Sequence, residues 1–324
     1  MDIYVKKAII HQFSPDETDL YLADKLLNIT PKIEEYLRKK IERVYSDEAR
    51  TGIFEEDNPF LEMISDDLLE TSVAVANRWK EEFVVSENQK TNDLVFIQFS
   101  KEGVDHFAFL RIALRETLTH LGGEVDNPIK LTQNNLPGFG TGADEALVIN
   151  LQSRKYHLIE KRIKYNGTFL NYFSENLLQA QPKISPKKSI KALEKTAQKI
   201  AESFNTDDFQ FQSKVKSAIF NHIEEENKLS PEKLADDLFD DNLTARLSFI
   251  DQVKEAVPEP VTFEEIDASR QLKKFENQKL SLSNGIELIV PNNVYEDAES
   301  VEFILNENGT YSILIKNIED IQSK

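Results

Sequence analysis

Two clusters in the sequence have the composition of sites that bind a phosphate or a metal ion, and the first is a glycine-rich loop. Residues 138–142 read Gly-Phe-Gly-Thr-Gly. Backbone amides in such a loop can hold a phosphate when the loop joins a strand to a helix. Here the next segment, 146–151, has the pattern of a strand, and no Lys-Ser or Lys-Thr pair follows. We therefore predict a mobile hairpin connection and no nucleotide site.

The second cluster is the acidic run 236–241, which reads Asp-Asp-Leu-Phe-Asp-Asp. On a helix, Asp236 and Asp240 would share a face and could hold a hard cation such as Mg²⁺. A diphosphate enzyme of this kind needs a second acidic cluster, and the sequence has no obvious one. We expect Asp240 or Asp241 to be the N-cap of the following helix and predict no metal site.

Histidine and cysteine add no catalytic pattern. The sequence has neither an HExxH nor a GxSxG motif, and no close pair at metal-ligand spacing occurs among its histidines, which are His11, His106, His120, His157 and His222. The chain contains no cysteine, which excludes disulfides, thiolate metal sites and thiol nucleophiles. We therefore expect a protein that is not an enzyme and that uses no cofactor.

The pattern of apolar residues predicts an α+β fold. Short runs rich in Val, Ile and Phe between 94 and 160 predict an antiparallel meander. Helices with cap-then-proline starts follow it, as in Ser185-Pro186 and Ser230-Pro231. We predict a mixed N-terminal domain with an antiparallel sheet flanked by helices, then a helical domain ending in a small antiparallel sheet. The predicted regions are an α+β domain at 1–164, a mainly helical domain at 165–257 and a small β region packed on it at 258–324.

The net charge of −18 over 324 residues argues against a surface that binds nucleic acid everywhere. The distribution along the chain is uneven, however. Residues 154–199 hold eleven basic and three acidic side chains, a net of +8. We predict a DNA-binding surface formed by these eleven, which are Arg154, Lys155, Lys161, Arg162, Lys164, Lys183, Lys187, Lys188, Lys191, Lys195 and Lys199.

The helix predicted from residue 185 separates its cations from its apolar side chains. At 100° per residue, five of the lysines fall within an arc of about 120°, and the apolar residues lie on nearly the opposite side. Phe169 and Phe173, which are close to the cations in sequence, have helical spacing, so we expect both to be packed inside. Only the cations are then candidates for contact with DNA.

The segment 202–267 has the opposite bias, with seventeen acidic and six basic side chains, a net of −11. Such a surface repels phosphate and attracts basic proteins. It supports a second hypothesis, in which the protein is an acidic adaptor or DNA mimic that modulates a DNA-handling enzyme such as a type II topoisomerase. A third hypothesis, an enzyme acting on nucleic acid or nucleotides, would rest on the aspartates of 236–241.

The chain resembles the bacterial family of 37-kDa nucleoid-associated proteins. The matching features are the opening strand at 8–12, the helix from Thr30 and the order of a mixed N-terminal half, a helical middle and a small C-terminal sheet. The most specific stretch is 144–161, followed by Tyr172-Phe173-Ser174. The resemblance implies DNA binding, a place at the nucleoid in the cytoplasm and no catalytic residues.

The leading hypothesis is therefore a nucleoid-associated protein that binds double-stranded DNA with little sequence preference. The absence of an export signal and of an apolar run of about 20 residues is consistent with a cytoplasmic protein that does not enter a membrane. A homodimer, formed through the strand edges of the β region, would double the basic surface and strengthen weak DNA contacts.

Overall fold

The computed structural model describes residues 1–15, 19–84, 90–120, 129–165, 167–205, 209–263 and 265–322. The chain forms two compact units, Met1–Ser185 and Pro186–Lys324, here named the N-terminal unit and the C-terminal unit. The division of the sequence after residues 164 and 257 stays a prediction.

The N-terminal unit contains a seven-stranded antiparallel sheet with helices on it. Its helices are α1 (Pro31–Glu42), α2 (Pro59–Glu62) and α3 (Leu68–Phe83), with a short π-helix at Phe173–Leu177. Its strands are β1 (Ile3–Ser14), β2 (Asp19–Tyr21), β3 (Arg50–Ile53), β4 (Asn92–Lys101), β5 (Val104–Ala113), β6 (Arg115–His120), β7 (Ile129–Asn135), β8 (Glu145–Asn150), β9 (Lys155–Ile159), β10 (Ile163–Tyr165) and β11 (Thr168–Leu170). The strand order in the sheet is β2-β1-β4-β5-β8-β9-β3.

Both faces of this sheet are buried, which explains why its central strands have nearly continuous apolar sequences. Alternate residues of β4 point to opposite faces. Phe96 packs in the core that includes α3, whereas Val95 and Ile97 pack in the core that includes α1. Trp79, predicted to be in the core from its place on the apolar face of its helix, is fully buried in the first of these cores.

A buried polar network ties α3, the sheet and the π-helix together. The Trp79 indole donates to the Tyr172 hydroxyl oxygen over 3.0 Å, and the Tyr172 hydroxyl donates to the Glu145 carboxylate. Arg111 Nε donates to the same carboxylate over 2.6 Å, so the buried guanidinium has a counter-charge. Glu145 and Tyr172 both lie in the stretches that carry the family resemblance. Their role is to join elements that are distant in sequence.

Two details of the β region differ from the prediction. Strands β6 and β7 pair with each other and, within the described residues, not with the seven-stranded sheet. The strands also continue past residue 164, because β10 and β11 form a small hairpin.

Phe169 lies on β11 and is 56% exposed, so the prediction that it packs inside is wrong, whereas Phe173 is buried as predicted. The four-residue spacing between Phe169 and Phe173 suggested one helix, but the helix there covers only residues 173–177 and Phe169 lies before it.

The C-terminal unit is a helical bundle with three small two-stranded sheets among the described residues, one of which has only two residues per strand. Its helices are α4 (Pro186–Ser203), α5 (Phe209–Glu226), α6 (Pro231–Leu238), α7 (Leu243–Ala256), α8 (Ser269–Phe275) and α9 (Asn292–Tyr295). Its strands are β12 (Lys228–Leu229), β13 (Val261–Thr262), β14 (Asn277–Ser281), β15 (Glu287–Pro291), β16 (Val301–Leu305) and β17 (Tyr311–Ile315). They pair in the order β12-β13, β14-β15 and β16-β17, each pair antiparallel.

One apolar core joins α4 to α8 in this unit, with Leu193, Ile219 and Phe249 fully buried in it. The α+β fold class predicted from the sequence is confirmed. None of the helices in the described ranges is both long enough and apolar enough to cross a membrane.

Candidate nucleic-acid interface

The helix α4 carries a lysine face and an apolar face on opposite sides. Its buried residues include Ile190, Leu193 and Ala197, which face α5 and α7 in the core of the C-terminal unit. Burying this stripe leaves the opposite side of the helix in solvent. All the lysines of that side are exposed, and we name them the α4 lysine face: Lys187, Lys188, Lys191, Lys195 and Lys199.

The α4 lysine face has few counter-charges. Within the described part of the chain, the side chains of Lys188, Lys191 and Lys195 make no hydrogen bond or ion pair, and Lys199 Nζ donates to the neutral amide oxygen of Gln252 over 3.1 Å. The ammonium groups of Lys188, Lys191 and Lys195 are therefore available to an external anion.

The helix α4 contains two glutamates, Glu194 and Glu202, and Glu194 is paired with a lysine from elsewhere in the unit. Lys274 Nζ on α8 lies 3.4 Å from the Glu194 carboxylate. Lys274 is therefore an additional cation beside α4 that the sequence reasoning missed. Because it is eighty residues from Glu194 in the chain, no local spacing could have indicated it.

The remaining predicted cations belong to the N-terminal unit, and several of them are engaged. The Lys161 Nζ atom lies 2.9 Å from the Asp144 carboxylate. Burial tends to raise the pKa of Asp144, but hydrogen bonds from Lys161 and from the Ala113 amide outweigh it and hold the pKa below its usual value. Arg154 Nη1 lies 3.9 Å from Glu56, at the limit of an ion pair. An acidic partner lowers the attraction that these cations have for a phosphate.

The hairpin of β10 and β11 places an exposed aromatic ring among cations. Lys164 and Phe169 are directly paired across the two strands, and Arg162 Nη2 donates to the Phe169 carbonyl over 2.8 Å. Arg162, Lys164 and Phe169 are all exposed. An exposed ring flanked by cations is typical of surfaces on which bases of single-stranded nucleic acid stack. Phe169 was not predicted as a contact, because its spacing from Phe173 indicated a place in the core.

The eleven predicted residues are thus divided between the two units. The N-terminal unit carries Arg154, Lys155, Lys161, Arg162, Lys164 and Lys183, and the C-terminal unit carries the α4 lysine face. Lys183 is exposed, and its backbone amide donates to the Thr51 carbonyl over 2.8 Å, which attaches this segment to β3. Only the α4 lysine face has its cations on one regular element.

The glycine-rich loop 138–142 presents carbonyl groups, not amides, to its neighbouring side chain. The buried Lys40 Nζ donates to the carbonyls of Pro137, Gly138 and Thr141. Burial lowers the pKa of Lys40 to about 8. The loop also does not close a hairpin, because β7 pairs with β6 and β8 pairs with β5. The prediction of a hairpin connection is wrong in this respect.

Three of the four aspartates in the acidic run 236–241 have a side-chain partner in their own unit. Asp236 pairs with Arg246 at 3.0 Å, Asp237 with His222 at 2.7 Å and Asp240 with Lys214 at 3.1 Å. The N-cap of α7 is Asn242, whose side chain accepts from the Ala245 amide, so the expectation of an aspartate cap is wrong by one or two residues. Among the residues that the structure describes, no group of His, Asp and Glu has the arrangement of a metal site.

Comparison with known proteins gives the family. The model of the family described as nucleoid-associated protein YejK matches residues 9–321, nearly the whole chain. The chain belongs to this family of nucleoid-associated proteins. No curated protein matches it. Family membership assigns the protein a role at the nucleoid, in agreement with the resemblance noted in its sequence.

Proposed function

We propose that the protein binds duplex DNA with little sequence preference, without catalysis, through the α4 lysine face. The observation that carries the proposal is the set of exposed lysines on one side of a helix on which Glu194, the glutamate among those lysines in sequence, is already paired with Lys274. Flexible lysines bind phosphate as point charges and do not read base edges. Binding through them alone depends on charge and carries little sequence information.

The geometry of the face suits a phosphate backbone. Lys187, Lys191, Lys195 and Lys199 follow one another at intervals of four residues, which is a rise of about 6 Å per interval. The face is thus about 18 Å long, which corresponds to roughly five base-pair steps of duplex DNA at 3.4 Å each. The acidic remainder of the protein restricts DNA to such a face, since like charges at the surface repel it over about 8 Å at physiological salt.

The test is a charge reversal of the three lysines without a partner in the described residues. Lys188→Glu, Lys191→Glu and Lys195→Glu together should strongly weaken retention of duplex DNA of several unrelated sequences in a mobility-shift assay. The matched control reverses three exposed lysines elsewhere, Lys25→Glu, Lys32→Glu and Lys279→Glu.

The control changes the net charge by the same amount, so it separates a local contact from a general electrostatic effect. We expect the control to retain most of the DNA binding. Equal losses in the two triple variants would contradict the assignment of the α4 lysine face, and so would a strong preference for one DNA sequence.

A second function has its own supporting observation in the acidic part of the C-terminal unit. Glu224, Glu225 and Asp241 are exposed, and the segment that contains them has a net charge of −11. In this proposal the surface binds a basic DNA-handling enzyme, such as a type II topoisomerase, as an adaptor or DNA mimic. Capture of such an enzyme by the tagged protein should survive nuclease treatment, and should be lost on Glu224→Lys, Glu225→Lys and Asp241→Lys together.

The two proposals make opposite predictions for the same variants. The lysine reversals should leave the protein partner bound, and the acidic reversals should leave DNA bound. The proposed location is the nucleoid in the cytoplasm. A homodimer would present two lysine faces to one duplex, and the effective concentration of the second face would raise the affinity.

A further inference from the structure

The strand β17 has one unpaired edge and an exposed apolar surface. It pairs with β16 on one side, and no other described strand pairs with it. The exposed fractions of Tyr311, Leu314 and Ile315 are 51%, 47% and 49%. An isolated two-stranded hairpin is marginally stable in water, and an open apolar strand edge is a template for another strand.

The register of the hairpin shows which backbone groups point outward. The Asn306 amide donates to the Thr310 carbonyl, and the Lys316 amide donates to the Ser300 carbonyl. In an antiparallel pair, residues alternate between those bonded to the partner strand and those facing away. The residues of β17 with an even number therefore bond to β16, and the N–H and C=O groups of Tyr311, Ile313 and Ile315 point to the open edge.

The sequence of β17 contains none of the features that protect strand edges. Proteins block open edges with charged side chains, proline or bulges. Among the described strands of at least five residues with an open edge, β17 alone has no charged side chain: β6, β7, β14, β15 and β16 each contain at least one. The segment 309–315 reads Gly-Thr-Tyr-Ser-Ile-Leu-Ile, without proline.

We infer that β17 is the surface through which two copies of this chain associate, as an antiparallel β17–β17 pair across a two-fold axis at Ile313. In this register Ile313 lies opposite its own copy, and Tyr311 lies opposite Ile315 of the second copy. These are the residues whose backbone groups face the open edge, so each opposed pair exchanges both of its hydrogen bonds. The two hairpins become one four-stranded sheet.

The strand is complementary to itself in side chains as well as in backbone. The pairs of Tyr311 with Ile315 and of Ile313 with Ile313 place aromatic and β-branched residues opposite one another, which stabilises strand pairs. Ser312 meets Leu314, and Lys316, whose ammonium already pairs with Glu302, meets the neutral Thr310. No like charges are opposed over 310–316, which is the condition that a two-fold interface must satisfy.

The absence of native cysteine allows a direct test by cross-linking. At a hydrogen-bonded antiparallel pair the two Cα atoms are about 5.5 Å apart, which is within the range of disulfides. The variant Ile313→Cys of the full chain should therefore form a covalent dimer on mild oxidation. The matched control is Ile304→Cys on β16, which is 39% exposed. Its two copies would be three strand spacings apart, about 14 Å.

A second measurement does not depend on oxidation. Sedimentation equilibrium of the unmodified chain should show a monomer–dimer equilibrium, and Ile313→Lys, which opposes two ammonium groups at the axis, should weaken dimerisation at least tenfold. Ile304→Lys should leave it within a factor of about two, with far-ultraviolet circular dichroism verifying that both variants fold.

The inference is overturned if the unmodified chain is monomeric at submillimolar concentration, or if Ile304→Cys cross-links as well as Ile313→Cys. Both measurements are made without DNA. Loss of the proposed DNA-binding function would therefore leave this result unaffected, and the reverse also holds.

Discussion

Acidification should destabilise the N-terminal unit through His11. This side chain is fully buried on β1, its Nδ1 accepts from the Ala23 amide at 3.0 Å, and its Nε2 lies 2.9 Å from the Ser72 hydroxyl oxygen. The Ser72 hydroxyl donates to the Leu69 carbonyl, so Nε2 carries the only ring proton. A second proton on Nδ1 would break the bond to Ala23.

The direction and size of the effect follow from the pKa of His11. Burial lowers this pKa from 6.5 to about 4. Above pH 6.5 the ring is neutral in both folded and unfolded chains, and its contribution to stability is complete. As the pH falls from 6.5 to 4, the unfolded chain takes up a proton and the folded chain does not, so stability is lost. Linkage gives a loss of about 2 kcal/mol at pH 5 and about 3 kcal/mol below pH 4.

The assay is urea unfolding followed by tryptophan fluorescence at pH 7 and at pH 5. Trp79 is the sole tryptophan and shares a core with the residues next to His11, so it reports on this unit. The variant His11→Gln should be less stable at pH 7 because it loses packing. Between pH 7 and pH 5 it should lose about 2 kcal/mol less than the unmodified chain.

The control variant is His120→Gln on the exposed strand β6, which should retain the pH dependence of the unmodified chain. The comparison between variants cancels the other titrating groups of the unit. Equal losses of stability in the unmodified chain and in His11→Gln between pH 7 and pH 5 would refute the reasoning.

Two further predictions concern the N-terminal unit. Lys40→Met removes the donor to three loop carbonyls, and we expect it to lower the free energy of unfolding by about 2–4 kcal/mol and to raise amide hydrogen exchange in residues 137–142; exchange as slow as in the unmodified chain would contradict the anchoring role of Lys40. Gly52→Ala places a Cβ 2.3 Å from the Tyr156 hydroxyl oxygen, and we expect this clash to lower the free energy of unfolding by about 1–3 kcal/mol. The control Gly138→Ala, whose Cβ meets no atom within 4 Å, should be nearly neutral by thermal unfolding, and equal losses in the two alanine variants would count against the clash.

Local sequence signals predicted the helices well. Thr30 and Ser230 are N-caps followed by proline, and their side chains accept from the amides of the third helical residue. The helix predicted from residue 185 begins at Pro186. These signals succeed because a cap is a contact between residues two or three apart. The segregation of cations and apolar residues on α4 was also predictable, since it follows from helical geometry alone.

The errors concern contacts between distant segments. Strand β1 pairs with β4, and β3 pairs with β9, and no local pattern specifies such partners. Phe169 was misassigned because a short hairpin, and not a helix, precedes the π-helix. The partner of Glu194 is Lys274, and the donor to the glycine-rich loop is Lys40, each about eighty or more residues away. Spacing along the chain contains no information about these pairs.

The central claim is that phosphates contact the α4 lysine face, and the salt dependence of duplex binding tests it most directly. The slope of log K against log salt concentration reports the number of phosphates neutralised, at about 0.9 per contact. We predict that Lys188→Glu, Lys191→Glu and Lys195→Glu together reduce the magnitude of this slope by about 2.7. The control with Lys25, Lys32 and Lys279 reversed should keep the slope of the unmodified protein. An unchanged slope in the α4 variant would contradict the claim.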